Sequence, residues 1–136
     1  MGVRSASQFI AGLKAHPKDV WIAGRKVGDV TTELAFRRPL ESLAGLFDQQ
    51  VQPELREIMT YQDEESGQPA GLSFLIPRSR DDLARRRAAM QVWAEATFGL
   101  MGRSPDYLNT VLVAFVDALE FFAQGGAMFA DNVRGY

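Results

Sequence analysis

The chain contains no cysteine, so disulfides, thiolate metal sites and a thiol nucleophile are excluded. Histidine is nearly as scarce. His16 is the only one, so a three-histidine metal centre cannot be built within the chain. A serine–histidine–aspartate triad would have to use His16, and no GxSxG elbow accompanies it. No apolar run reaches eighteen residues, so no membrane span is expected. The first residues, MGVRSASQFIAGLKAHPK, lack the continuous apolar stretch of a secretory signal, and position 6 is Ala where a myristoylation signal wants Ser or Thr. The expected location is the cytoplasm. A large excess of charge of one sign is also missing. A formal net charge of −2 supplies no global field to recruit nucleic acid.

What is present is an ordinary globular composition: 136 residues, 46% hydrophobic and 24% charged, enough to bury one core. Ser5 is placed to cap a short helix with Phe9, Ile10 and Leu13 on its apolar stripe, ended by Pro17. Val20 to Ala23 and Lys26 to Val27 read as two short strands about a Gly24–Arg25 turn, and DVTTELAFRRP reads as an extended connection. Pro39 is expected to open a second helix with Leu40, Leu43, Leu46, Phe47 and Val51 on one face, broken at Pro53. DEESGQPA reads as a polar loop. GLSFLIP reads as a strand that pairs with IMTYQ in a second hairpin.

Ser79 begins the most legible helix, with Asp81 and Asp82 in its first turn and Asp82 standing where a capping box has Glu. Its apolar side runs through Leu83, Met90, Trp93, Ala94, Thr97 and Leu100, and Gly99 or Gly102 supplies its stop. Ser104 as cap, Pro105 at the first helical position and Asp106 make a strong start for the last long helix. From Leu108 to Phe122 that helix is almost wholly apolar and is expected to be buried on most sides. Its polar stripe is Asp106, Thr110, Asp117, Glu120 and Gln124, interrupted by Val113. AMFADNVRGY can start one more helix. The class is mainly α, with one or two small β-hairpins.

Four groups of residues carry chemistry worth weighing. RSRDDLARRR concentrates five arginines, which read either as a phosphate or nucleic-acid patch or as a solvated helix face whose Arg85 and Arg86 pair with Asp81 and Asp82. No aromatic residue interleaves them for base stacking, so the solvated face is preferred. Asp117 and Glu120 have the spacing of a carboxylate pair but lie on the polar stripe. Phe115, Phe121, Phe122 and Phe129 fit an aromatic pocket or, more commonly, core. In MGRSPDYLN, Gly102, Ser104 and Pro105 account for a joint between helices, whereas Arg103 and Tyr107 are not needed for it. Both flank a helix N-terminus, where free N–H groups favour an oxyanion. The structural alternative is that Arg103 bonds to the preceding helix's last carbonyls while Tyr107 packs. Physics alone leaves the two readings even.

The segments VWIAGRKVGDVTT, AFRRP, LSFLIPRSRDDLARRRAAMQVWAEATFGLMGRSPDYLN and FADNVRGY resemble the N-terminal region of the 4-hydroxyphenylacetate 3-monooxygenase large (oxygenase) component family, in order from about residue 5 to the end. LSFLIPRSRDDL and FGLMGRSPDYLN are the most specific pieces. The resemblance implies a two-component flavin monooxygenase. A separate flavin reductase supplies reduced FAD, a C4a-hydroperoxyflavin forms with dioxygen, and a phenolic substrate is hydroxylated ortho to its hydroxyl. It further implies an acyl-CoA dehydrogenase-like fold, a homodimer or homotetramer, and no metal. By the same resemblance Arg103 and Tyr107 contact the phenol, Ser104, Pro105 and Asp106 line the same segment, and a histidine further along assists. Family members are several times longer. Residues 1–136 are therefore expected to be a single helical N-terminal domain, without the middle β domain and C-terminal bundle that make most of the flavin site, and inactive alone. Two alternatives stay open: a stand-alone helical binding module using the arginine-rich face, and the related radical dehydratase of 4-hydroxybutyryl-CoA, which needs cysteine and histidine ligands.

Overall fold

The computed structural model describes residues 2–100 and 105–135. The chain divides into two compact units, Met1–Ala70 and Gly71–Tyr136.

In the first unit, α1 (Ala6–Ala15) starts where the sequence places it. Ser5 accepts from the Gln8 N–H, and Gln8 returns the bond to the Ser5 N–H at 2.8 Å, a complete capping box. A second anchor comes from α2 (Arg37–Gln49): Asp48 accepts the Ala6 N–H at 2.7 Å, putting a carboxylate at the positive end of α1. Phe9 of α1 stacks on Phe47 of α2 with ring centres 4.5 Å apart, and the Arg4 guanidinium lies 5.2 Å from the Phe47 ring centre. Pro39 falls in the first turn of α2, where its missing N–H has no intrahelical partner to lose.

The first hairpin exists but is shifted by a residue from expectation. β1 (Trp21–Ile22) pairs antiparallel with β2 (Arg25–Lys26), Trp21 opposite Lys26 and Ile22 opposite Arg25. The turn is therefore Ala23–Gly24, with φ of 47° and 77°, the double positive φ of a type I′ turn, and not Gly24–Arg25. DVTT is not extended. Asp29 accepts both the N–H and the hydroxyl of Thr31, closing an Asx turn, and Leu34–Phe36 forms a 3₁₀ turn leading into α2. Val51 leaves the expected apolar face because α2 stops at Gln49, and it is exposed. After α3 (Arg56–Met59), β3 (Thr60–Gln62) pairs with β4 (Pro69–Gly71) in the second hairpin. Val27, Ala44, Leu46, Met59 and Ala70 are this unit's buried apolar residues.

The second unit opens with a correction. The expected strand through GLSFLIP stops at Gly71, and Leu72–Phe74 is a 3₁₀ turn. β3 offers only three residues to pair with, so a longer strand would have no ladder to join. α4 (Arg80–Ala96) carries the expected capping box between Ser79 and Asp82. Its stop differs in detail. Thr97 is the cap residue, and the Gly99 N–H returns to the Ala94 carbonyl at 2.9 Å, as in a Schellman turn. The left-handed position of that turn is Phe98 at φ 51°, followed by Gly99 at φ 80°. Gly102 lies outside the described residues. Leu83 and Leu100 are exposed, and the buried face of α4 is Arg86, Ala89 and Trp93.

α5 (Pro105–Asp117) begins at Pro105 as expected, but the long helix is interrupted at Ala118 and resumes as α6 (Leu119–Ala123). The chain closes with α7 (Ala127–Gly135). Val113 and Ala130 are buried, while Leu108, Phe115, Val116, Phe121, Met128 and Phe129 are exposed. The expected burial of the apolar 108–122 run on most sides is therefore not met within this chain. Among the described residues no helix is long and apolar enough to cross a membrane.

Candidate functional site

The candidate site is the start of α5. Arg103 and Ser104 lie outside the described residues. Pro105 and Asp106 form the first turn of the helix, and Tyr107 follows in that same turn with its side chain 57% exposed. An exposed phenol at the opening of a helix stands where backbone N–H groups lack intrahelical acceptors. It can therefore offer a hydroxyl to an anionic or phenolic oxygen held there. Within the described residues Tyr107 is not packed away.

One helical turn further along, α5 is tied to the preceding elements. Arg86 of α4 is buried, 5% exposed, and donates to the Leu75 carbonyl and, at 2.7 Å, to the Thr110 hydroxyl of α5. The next-door Asn109 amide donates to the Ser73 hydroxyl at 2.8 Å. Sequence reasoning missed Arg86 as anything but a surface charge. The one local signal was its place three and seven residues before Ala89 and Trp93, on the buried side of α4.

The other candidates separate. The five arginines do not form one face. Arg86 points inward. Arg85 stands 4.0 Å from Asp82, so that part of the expected pairing is present at long range. Arg78 pairs with Asp117 at 2.5 Å, both partly exposed, an ion pair worth about 0–1 kcal/mol. The expected pairing of Arg86 with a carboxylate is replaced by its two neutral acceptors. Asp117 turns to Arg78, and Glu120 is exposed. Phe115, Phe121 and Phe122 meet edge to face, ring centres 5.3 and 5.6 Å apart, across the break at Ala118. With Phe121 68% exposed they are a surface cluster, neither closed pocket nor core. His16 is exposed at the end of α1.

Two open grooves of about 350 and 480 Å³ lie in the first unit, lined by residues between Leu13 and Val30. Neither is bordered by residues 105–110. Both have lysines, Lys14 and Lys18 in one and Lys18 and Lys26 in the other, but Lys26 is engaged by Asp19 at 2.6 Å. No glycine-rich loop faces these grooves in the way a dinucleotide phosphate requires. The described residues thus offer Tyr107 and a helix opening to a small aromatic ligand.

Comparison with known proteins places the chain in a family. Residues 5–136 match the family model described as 4-hydroxyphenylacetate 3-hydroxylase N terminal. The chain is 44% identical over 133 residues to the 4-hydroxyphenylacetate 3-monooxygenase oxygenase component of Thermus thermophilus, covering 98% of this chain and 26% of that protein. It is 41% identical over 136 residues to the oxygenase component of a Geobacillus species, covering 100% of this chain and 27% of that protein. A crystal structure of the oxygenase component of 4-hydroxyphenylacetate 3-monooxygenase complexed with FAD and 4-hydroxyphenylacetate superposes with a TM-score of 0.86 at 43% identity, over 98% of this chain and 27% of that one. The chain spans about a quarter of the length of the relatives it matches. The mainly helical, acyl-CoA dehydrogenase-like class expected from the sequence is the class of these neighbours.

Proposed function

The chain belongs to the 4-hydroxyphenylacetate 3-hydroxylase N-terminal family, and from that premise we propose that it is the substrate-contacting domain of a reduced-flavin monooxygenase that hydroxylates a phenol ortho to its hydroxyl. The observation that carries the proposal is the exposed Tyr107 in the opening turn of α5, in a chain that matches this family over residues 5–136.

Each residue of the segment has a physical role in this reading. Arg103 places a cation beside the phenol oxygen, and the N-terminal end of α5 adds partial positive charge. Both favour the phenolate, which enriches the ring carbon ortho to the oxygen in electrons. Tyr107 offers its hydroxyl to the same oxygen and fixes the ring's orientation. Ser104, Pro105 and Asp106 set the backbone that carries both side chains. Reduced FAD, when bound, supplies the activation of dioxygen. Because the chain spans only about a quarter of its relatives' length, the flavin-holding residues are assigned mainly outside residues 1–136. A separate reductase as flavin donor, a homodimeric or homotetrameric enzyme and a cytoplasmic setting complete the proposal.

The test is product formation by the full-length enzyme that carries this segment. With reduced FAD, dioxygen and 4-hydroxyphenylacetate it is expected to yield the catechol. Failure to hydroxylate this or any other simple phenol would overturn the reading. Titrating reduced FAD into the 136-residue chain alone is expected to show no stoichiometric binding; tight binding would overturn the assignment of the flavin site.

A further inference from the structure

A buried guanidinium is an expensive way to fill space. Removing the charge from water is offset only where every donor finds a partner, and apolar residues of similar volume pack there at lower cost. On α4 the flanking Arg85 and Arg87 are exposed, whereas Arg86 is 5% exposed. Among the described residues no carboxylate pairs with it, and its partners are neutral: the Leu75 carbonyl and the Thr110 hydroxyl. Those acceptors belong to different elements. Leu75 ends the 72–74 3₁₀ turn, and Thr110 belongs to α5. A planar fork with several fixed donors can span two such acceptors, which an ammonium or an apolar side chain cannot do in the same geometry.

The neighbouring contact points the same way. Asn109 donates to Ser73, which is 6% exposed, so consecutive α5 positions are tied to the 73–75 stretch, one directly and one through Arg86. Tyr107 lies three residues before Thr110, on the same side of the helix and about 4.5 Å along its axis. A rotation or slip of α5 that moved Tyr107 would break both ties. We infer that Arg86, through Thr110 and alongside Asn109, is a positioning residue that holds the opening of α5, and so Tyr107, in the orientation that receives the phenol. This inference rests on the function proposed above.

The test uses the full-length enzyme with Thr110→Val, Thr110→Ser and Arg86→Met. Thr110→Val removes the acceptor at nearly constant volume. It is expected to raise the KM for the phenol about tenfold and to lower the product formed per oxygen consumed, with reduced-flavin affinity unchanged. Amide exchange at 108–112 should quicken while that at 88–93 in α4 stays put. Thr110→Ser, which restores the hydroxyl, should return all three readouts to wild type. Arg86→Met should act in the same direction and more strongly; if it fails to fold, the Thr110 pair decides. An unchanged KM and unchanged exchange in Thr110→Val would overturn the inference, as would a lowered Tm with no change in KM or coupling. A wild-type enzyme that hydroxylates no phenol would instead overturn the functional reading, and the exchange pattern would still decide whether Arg86 fixes α5.

Discussion

The two units differ in how much apolar surface they leave exposed: Trp21, Leu34, Val51 and Ile58 in the first, a longer set in the second. Residues 1–70 use caps and short-range polar closures, Ser5 with Gln8, Asp48 with the α1 N-terminus and Asp29 with Thr31, around a small core of Val27, Leu46 and Met59. Residues 71–136 bury an arginine and a serine while leaving Leu108, Phe115, Val116, Phe121, Met128 and Phe129 at the surface. A contiguous sequence that hides polar groups and shows apolar ones is what an interaction face looks like in isolation. The second unit carries the candidate site, and around its core of Leu72, Ala89, Trp93, Val113 and Ala130 it leaves a broad apolar surface exposed.

The contrast can be broken most sharply at Trp93, 3% exposed and the largest buried side chain of the second unit. Trp93→Ala should cost about 3–5 kcal/mol in urea unfolding. A loss under about 1 kcal/mol would mean the second unit lacks the core ascribed to it. Next in size is Phe98→Gly. Phe98 is 97% exposed and held at φ 51°, so glycine there relieves left-handed strain without losing buried area. The change should stabilise the chain by about 1 kcal/mol, and a destabilised variant would show that Phe98 packs against something.

The pH dependence sharpens the role of the caps. Bonds from the Arg78 backbone N–H and from Ser79 hold the Asp82 carboxyl below its ordinary value. A depressed carboxyl pKa contributes stability that is complete above the unfolded-state value and is lost as pH falls through the folded one. The window is therefore below about pH 4. Asp82→Asn should flatten the loss of α4 helicity in an acid titration followed by circular dichroism, and an unchanged acid transition would remove Asp82 from the account. The smallest effect on stability belongs to the exposed apolar face. Phe121→Ser should shift unfolding by no more than about 0.5 kcal/mol, yet reduce self-association in sedimentation velocity. Equal association before and after would argue that the face is not sticky.

These expectations also separate what the sequence could and could not reveal. Ser5, Ser79 and Pro105 marked helix starts because a cap is a contact within four residues. The fate of LSF depended on partners far away in sequence: β3 is too short to pair with it, and Asn109 and Arg86 claim Ser73 and Leu75. Arg86 was illegible for the same reason, since an arginine is read as exposed until its acceptors are known. The break at Ala118 has no proline or glycine to announce it, and the structure gives no physical account of it beyond the edge-to-face phenylalanines on either side. For the site, the helix start with Tyr107 in its first turn was readable from local chemistry. What that tyrosine meets was not, because physics left packing and ligand contact equally good.

The central claim, that the opening of α5 receives a phenol, is tested most directly by the ratio of hydroxylated product to oxygen consumed. The measurement compares the full-length enzyme with its Arg103→Ala and Tyr107→Phe variants at saturating reduced FAD. The account predicts that both variants still consume oxygen with undiminished flavin affinity while the ratio falls. A wild-type ratio in either variant would contradict it.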